Sequence, residues 1–427
     1  MVADIRDRSR DQERDDVPDP LRILRTPQPE RPDLLGLVLP GGGARAAYQV
    51  GLLRCLARHR PDLSLDIITG VSAGAINAAY LAAHPGRISE AAFGLSQLWS
   101  RLTTERIFDT RSLSLMHRTA RWTLRLTGGG HKPGGHEVHG MVDTRPLHEL
   151  LTHELNARGP TGELVGIADN LASGRLKACA LTTLDYGTGR TVTWVQGKDI
   201  RAWKRSVRKS IHAPLTLSHV MASAALPLFF PAVRIGDSWH GDGGVRLAAP
   251  LSPALHLGAR RIMVISTRYQ KTEEELETPT TYGYPPPAQV LGVLYNSVFL
   301  DMIDEDILRL QMLNRLLAER PAHERNGMRL VDILVIRPSH DLRRLTNALE
   351  PRLPSLLRYM TRGLGTRQAA NPAFLSLLLF QRDYLQRLVE LGEADAEARA
   401  EDIEAFLSRA PGTVVAQERS HSSLRAE

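Results

Sequence analysis

A serine between two glycines, at the junction of an apolar run and an alanine-rich run, most limits how this chain can fold. Residues 66–79 read DIITGVSAGAINAA and place Ser72 between Gly70 and Gly74. The apolar residues before it are typical of a buried strand, and the alanines after it favour a helix. A sharp strand-to-helix turn at a serine is a nucleophile elbow. Because Gly-x-Ser-x-Gly also occurs by chance in glycine-rich loops, its surroundings decide the interpretation.

The segment before the serine contains a second unit of the same kind. Residues 34–40 read LLGLVLP, an uninterrupted apolar run typical of a buried parallel strand. Gly41, Gly42 and Gly43 follow, and the next run places its apolar residues on one helical face. Two successive strand–turn–helix units predict an α/β fold with a mainly parallel central sheet and helices on both faces.

Later segments extend this prediction. Residues 175–195 have the composition of strands interrupted by a turn, which predicts a hairpin. Arg261–Thr267 and Met328–Pro338 are short apolar runs that predict core strands, whereas Val290–Glu319 keeps helical spacing. The pattern after His340 is helical and predicts an extension packed on the sheet domain.

A third glycine-rich position supplies a candidate catalytic base. Acyl transfer by a serine requires a base that removes its proton and at least two N–H donors for the oxyanion. Residues 41–43 and Ala73 can present backbone N–H groups to that oxyanion. Asp242, held in a tight turn by Gly243 and Gly244, can supply the base.

The base is predicted to be an aspartate and not a histidine. A conventional triad would add a histidine downstream of the serine. No downstream histidine lies in a turn-rich segment suited to present it; the candidates are His212, His219, His240, His256 and His340. Since a carboxylate of ordinary pKa, ~3.9, is a weak base, Asp242 would need a hydrogen bond to Ser72 and a pocket that adjusts its pKa.

Taken together, four blocks of sequence resemble the patatin-like phospholipase family in their order and content. They are PGGGARAAYQVG at Pro40–Gly51, GVSAG at Gly70–Gly74, ASAALP at Ala222–Pro227 and DGG at Asp242–Gly244. The resemblance extends over residues 34–338. It implies a three-layer sandwich and a serine lipid acyl hydrolase of the phospholipase A or lysophospholipase type.

The resemblance also implies roles for individual residues. Ser72 would be the nucleophile, Asp242 the base, and the N–H groups of the glycine loop the oxyanion hole. Arg45 matches the basic position of the loop and would either place an anionic head group or order the loop. The chain departs from the family at Ala46, where the loop usually closes with glycine, which puts the fine geometry of the loop in doubt. No metal or cofactor is implied.

Composition sets limits on the class of protein and on its partners. A hydrophobic fraction of 42% and a charged fraction of 24% are those of an ordinary globular protein. The net charge of +7 favours anionic surfaces, although simple solubility explains it equally well. Cys55 and Cys179 are too few for a disulfide framework. The expected partner is a phospholipid or other acyl-ester lipid, with a peripheral membrane surface and without nucleic acid; the oligomeric state stays open.

The predicted organisation has four parts. Residues 1–33 form a disordered polar arm, 34–340 a catalytic domain, 341–410 a helical extension and 411–427 a disordered tail. The first thirty residues lack the apolar core of a Sec signal, so the predicted location is the cytoplasm, with the inner face of the membrane as a peripheral site and non-Sec export left open. Residues 112–126 can be drawn as a basic amphipathic helix, either a membrane-binding lid or a surface helix. Three histidines at 131, 136 and 139 are expected to lie in a solvated loop.

Other functions fit parts of the pattern. The same dyad could serve a non-lipid carboxylesterase or a polyester depolymerase, or belong to a catalytically dead lipid-binding protein. From a different class, Gly41, Gly43 and Ala46 also match the fingerprint of a dinucleotide-binding module, with Asp62 or Asp66 as the ribose ligand. That interpretation leaves Ser72 and Asp242 without a purpose.

Overall fold

The computed structural model describes residues 33–109, 140–278, 284–299, 302–346 and 373–409. The predicted N-terminal arm up to residue 32, the amphipathic helix at 112–126, the histidine-rich loop that follows it and the C-terminal tail lie outside these residues. The division into a catalytic domain and a helical extension stays a proposal, to which we return below.

The sheet has nine strands, five of which form its parallel centre in the order β3-β2-β1-β8-β9. Strand β4 pairs antiparallel with β3, and β5 pairs in parallel with β4. The β6–β7 hairpin joins the sheet because β7 pairs antiparallel with β3. The strands are Leu35–Leu39 (β1), Ile67–Val71 (β2), Ala178–Asp185 (β3), Arg190–Gly197 (β4), Arg208–His212 (β5), Val233–Ile235 (β6), Ser238–Asp242 (β7), Arg261–Ile265 (β8) and Asp332–Ile336 (β9).

Helices cover both faces of this sheet. Those in the described residues are Ala47–His59 (α1), Ala73–Ala83 (α2), Ile88–Ser100 (α3), Thr104–Ile107 (α4), Arg145–Glu154 (α5), Val165–Ala172 (α6), Leu217–Ser223 (α7), Ser252–Leu257 (α8), Glu273–Glu277 (α9), Pro287–Phe299 (α10), Met302–Ala318 (α11), Ala373–Leu378 (α12), Arg382–Ala398 (α13) and Ala400–Ser408 (α14). None of these described helices combines the length and apolar character needed to cross a bilayer.

Alternation along β1 shows why both faces must be covered. Leu35, Leu37 and Leu39 belong to a core shared with α1, α2 and α3, whereas Val38 belongs to a second core. The second core is completed by α8 and α11. Successive side chains of a strand point to opposite faces, so an apolar strand of this kind is stable only between two layers. The predicted α/β fold with helices on both faces is therefore confirmed.

The C-terminal helices pack on α1, close to the glycine loop. The Tyr48 hydroxyl donates a hydrogen bond to Asp395 at 3.0 Å, and Arg54 forms an ion pair with Glu393. A Cβ at Gly392 would collide with the backbone carbonyl of Tyr48, so only glycine allows α13 to approach this closely. This docking places the segment before α13 beside the candidate site.

Most strands and helices lie where the sequence predicts them. The hairpin at 175–195 is confirmed as β3 and β4, and the two late strands are β8 and β9. The helical run from 290 to 319 is two helices, α10 and α11. Strands β5, β6 and β7 were not predicted, because they are short and lack a clear apolar alternation.

Candidate active site

Ser72 sits in the strained turn that the elbow motif predicts. It joins β2 to α2, with φ 56° and ψ −134°, and is 7% exposed. A non-glycine residue with positive φ is uncommon, and such strain persists only where the surrounding structure enforces it. The structure enforces it through close packing, since a Cβ at Gly74 would collide with the carbonyls that end β1.

Strand β3 brings Ser72 and Asp242 together. Along one edge of β3, Thr182 pairs with Val71, the last residue of β2, and Thr183 pairs with Asp242, the last residue of β7. Since β4 occupies the other edge, β7 continues the edge where β2 ends. Ser72 follows β2 and Asp242 ends β7, so both residues lie beside the same part of β3.

Asp242 is fully buried, and its environment raises its pKa. Its Oδ1 accepts a hydrogen bond from the Gly244 N–H at 2.8 Å. Burial raises the pKa of the carboxyl group to about 7, against the opposing effects of the Ser72 hydroxyl and the Gly244 N–H. Oδ2 makes no direct hydrogen bond to the described residues. The Ser72 hydroxyl is thus near enough to affect the pKa of the carboxyl group, although it does not form the full hydrogen bond that the predicted dyad requires.

The histidines considered from the sequence are occupied elsewhere. Four of them form hydrogen bonds: His212 with the Gly197 carbonyl, His219 with Thr216, His240 with Thr183 and His340 with Ser339. His256 stacks on the Trp203 ring at 4.3 Å. Within the described ranges, no histidine forms a hydrogen bond with Ser72 or Asp242. Asp185 is held by the turn of its hairpin through Gly187 and Thr188.

The glycine loop faces the elbow. A Cβ at Gly41 would lie 2.8 Å from Ser72 Cβ, so the loop backbone runs directly against the serine. Gly42 and Gly43 have φ of 156° and 55°. Among the described residues, no acceptor takes the N–H groups of Gly42, Gly43 or Ala73. These three donors beside one serine are the arrangement that an oxyanion hole requires.

A buried network that the sequence reasoning missed holds this loop. Gln49 donates to the carbonyls of Pro40 at 2.9 Å and Ile265 at 3.1 Å. Asn77 donates to the Gln49 side chain and to the Ala46 carbonyl, and accepts from the Trp99 indole at 2.7 Å. The sequence signal for this network was one amide side chain in each of two mainly apolar helical runs. A buried amide needs hydrogen-bond partners, so each one indicates a buried contact.

Alanine at position 46 does not disturb the loop. Ala46 has φ −65° and ψ −11°, which is ordinary helical backbone. A Cβ is therefore tolerated where the family usually has glycine.

Ser223, in the block at Ala222–Pro227, supports the elbow directly. Its hydroxyl accepts a hydrogen bond from the Ser72 N–H at 3.0 Å and donates one to the Thr182 carbonyl at 2.7 Å. It thereby links the backbone of Ser72 to β3. The Ala-Ser-x-x-x-Pro block, noted for its resemblance alone, therefore has a physical reason.

We predict that Ser223→Ala lowers the free energy of unfolding by about 1–3 kcal/mol, because the buried Ser72 N–H loses its acceptor. Urea titration followed by circular dichroism measures the loss. Ser100→Ala, which removes an exposed hydroxyl on α3, is the matched control and should change stability little. A Ser223→Ala protein as stable as the wild type would contradict the supporting role.

Arg45 does not reach solvent, so it cannot bind a head group as one of its two predicted roles required. It is 3% exposed, and its Nε donates to the Ser376 hydroxyl at 2.7 Å. Burial lowers the pKa of the guanidinium to about 10, partly offset by Tyr384. The remaining role, ordering of the loop, agrees with this position.

An apolar cleft opens at the serine. Ser72 is its only lining residue with a hydroxyl among those described, and the other walls are hydrocarbon, aromatic or glycine. The lining residues are Gly42, Gly43, Ser72, Ala73, Ile76, Leu98, Trp99, Leu102, Ile107, Leu147, Leu151, Ala224, Leu226, Phe230, Leu377, Leu378 and Phe380. Such a cleft suits a hydrocarbon chain attached to a reactive carbonyl.

The alternative dinucleotide site fails on geometry. Asp66 precedes β2 and its carboxylate accepts from the Leu35 N–H at 2.9 Å, at the start of β1. The glycine loop lies at the other end of β1, and ribose recognition needs the acid beside that loop.

A possible metal-ligand group lies away from the serine. Among the described residues, Cys55, His59 and Glu397 are the one set of such side chains close enough to share an ion. They join α1 to α13, and none contacts Ser72 or Asp242. The candidate chemistry at the serine uses no residue of this group.

The fold defines an α/β protein with a strained serine at a sharp turn between strand and helix. The model of the patatin-like phospholipase family matches residues 37–255, just over half of the chain. The chain therefore belongs to the patatin-like phospholipase family.

Similar solved structures are distant in sequence. Human GIVD cytosolic phospholipase A2 in complex with methyl gamma-linolenyl fluorophosphonate is 14% identical, with TM-score 0.41, over 91% of this chain and 61% of that one. VipD from Legionella pneumophila is 12% identical, with TM-score 0.30, over 84% and 67%. The ExoU–SpcU complex of Pseudomonas aeruginosa gives 18% and 0.28, over 88% and 61%. The chain thus spans about three fifths of the human protein in that structure. No curated protein sequence matches significantly.

Proposed function

We propose that the protein is a serine lipid acyl hydrolase that releases fatty acids from ester lipids through a Ser72–Asp242 dyad. The observation that carries the proposal is the meeting of a strained serine, a buried carboxylate of raised pKa and unengaged loop N–H groups at an apolar cleft. Phospholipids and lysophospholipids are the substrates that the family membership favours.

The proposed reaction has two steps. Asp242 accepts the proton of the Ser72 hydroxyl as its oxygen attacks the acyl carbonyl, and the N–H groups of Gly42, Gly43 and Ala73 stabilise the oxyanion. The carboxylic acid then returns the proton to the leaving alcohol, which leaves an acyl-serine. In the second step, Asp242 takes a proton from water, which attacks the acyl-serine. The bond between the acyl carbon and Ser72 Oγ then breaks, and Asp242 returns the proton to Oγ. The products of this step are the fatty acid and free Ser72.

Two features favour lipid over small polar esters. Hydrocarbon lines the cleft, so an acyl chain would be buried there with a gain of about 0.8 kcal/mol for each CH₂ group. A long acyl chain that fills the cleft would also exclude bulk water from the buried carboxylate during acyl transfer. We propose a catalytic unit up to about residue 340 and a helical extension after it, with the extension docked on α1.

We expect the purified protein to release fatty acid from at least one member of a panel of phospholipid, lysophospholipid and acylglycerol vesicles. Mass spectrometry of the products identifies the acyl chain and the position cleaved. Ser72→Ala, assayed at the same concentration, is the control for contaminating lipases. Equal release by both proteins, or hydrolysis confined to short water-soluble esters, would contradict a lipid acyl hydrolase.

A further inference from the structure

The segment Ala373–Phe380, which contains α12, lies outside the part of the chain that matches the family model. It nevertheless lies against the candidate site. Every side chain from Leu375 to Phe380 is buried, at 7% exposure or less. A segment more than one hundred residues beyond the matched region is therefore part of the core around the serine.

The first set of contacts joins this segment to the glycine loop. The Ser376 hydroxyl accepts the hydrogen bond of the buried Arg45. The backbone of Leu377 lies so close to Gly43 that a Cβ there would sit 3.0 Å from Leu377 Cα and closer still to its carbonyl oxygen. Gly43 is therefore constrained twice, by its positive φ and by the segment packed against it.

The second set of contacts forms one side of the cleft. Leu377, Leu378 and Phe380 line it together with residues of α2, α3 and α5. The Phe380 ring stacks on Trp99 with centroids 6.5 Å apart, and the Phe380 carbonyl accepts from the Thr104 hydroxyl at 3.2 Å. These two contacts attach the segment to α3 and to α4. Its side chains therefore have defined positions in the cleft.

We propose that Ala373–Phe380 is the specificity wall of this enzyme: Leu377, Leu378 and Phe380 set the length of acyl chain that the cleft accepts. The inference rests on the proposed function, because it names the residues that would select the substrate of the same site. The expected substrate class is an ester of a fatty acid long enough to pass the oxyanion loop and contact this wall.

Two substitutions test the wall. Leu378→Phe enlarges a wall side chain and so narrows the cleft, whereas Phe380→Leu makes a wall side chain smaller and so widens it. Leu379→Phe adds the same volume at a neighbouring buried residue that does not line the cleft, so it is the matched control. Thermal unfolding confirms that each variant is folded.

The measurement is the ratio of kcat/KM for p-nitrophenyl dodecanoate to that for the butanoate. We expect Leu378→Phe to lower this ratio about tenfold, the low end of the discrimination that a hydrophobic pocket makes for one methylene. Phe380→Leu should move the ratio in the opposite direction. Leu379→Phe should leave it at the wild-type value even if overall activity falls. A ratio unchanged in both Leu378→Phe and Phe380→Leu would overturn the proposal.

Binding of a dansyl-labelled undecanoic acid separates this proposal from the proposed function. If the wild type binds the probe and Leu378→Phe weakens binding about tenfold, the wall is supported even if no ester is hydrolysed, and only the hydrolase assignment fails. If the wild type hydrolyses esters through Ser72 and Leu378→Phe binds the probe unchanged, the hydrolase assignment stands and the wall is overturned.

Discussion

Ser72→Ala is expected to reduce ester hydrolysis by about six orders of magnitude, the scale on which loss of a serine nucleophile acts in other hydrolases. The hydroxyl is the one nucleophile at the cleft among the described residues, and the remaining loop donors can stabilise an oxyanion but cannot form an acyl-enzyme. Steady-state hydrolysis of p-nitrophenyl butanoate measures the loss. Reaction with a fluorophosphonate probe, followed by peptide mass spectrometry, should place the label on Ser72.

Two controls keep this result specific. Ser100→Ala removes an exposed serine and should retain the label and the rate. Ser72→Cys keeps a nucleophile in the elbow and should react with iodoacetamide faster than the buried native cysteines, whose pKa values are raised by burial. Labelling of a serine other than Ser72, or wild-type turnover by Ser72→Ala, would remove Ser72 from the mechanism.

The elbow could be predicted from the sequence because its physics is local. A buried strand, a glycine on each side of one serine and a helix-forming run lie within fourteen consecutive residues. The glycine loop and the parallel strands could be predicted from patterns that are equally local. What the structure supplies is register: β3 pairs Thr182 with the end of β2 and Thr183 with the end of β7, and no pattern within β3 encodes that pairing.

The sequence could not decide between the two roles predicted for Arg45, because its partner is 331 residues away in the chain. A basic residue in a glycine loop suggests an anion, and the sequence offers no sign that a serine from α12 satisfies it instead. The wall of the cleft could not be predicted for the same reason, because Leu377 is far in sequence from Gly43, which it contacts. Gln49 and Asn77, which support the loop, also depend on long-range contacts. Gln49 donates to the Ile265 carbonyl at the end of β8, and Asn77 donates to the Ala46 carbonyl, 31 residues away in the chain.

Asp242→Asn is expected to lower kcat/KM by about 10⁴-fold, because an amide of the same shape cannot accept the Ser72 proton. In the wild type, the carboxylate must be ionised to act. With its pKa raised to about 7 by burial, activity should increase with pH through about 7 and level off above it. A pH profile of kcat/KM, recorded between pH 5 and 9, measures the transition. A flat profile, or an Asn variant with substantial rate, would exclude Asp242 as the base.

The same substitution should stabilise the fold at high pH, which separates a catalytic role from a structural one. Between pH 3.8 and about 7, folded Asp242 holds a proton that the unfolded chain has released, so the free energy of unfolding decreases as pH rises. At 1.36 kcal/mol for each pH unit, the limit of this loss is about 4 kcal/mol above pH 7. Asn at this position carries no charge to bury. Asp242→Asn should therefore unfold at higher urea concentration than the wild type at pH 8, with the difference shrinking towards pH 4. An Asn variant that is less stable at pH 8 would mean that the ionised carboxylate holds the site together, and that its loss of activity reflects structure and not the missing base.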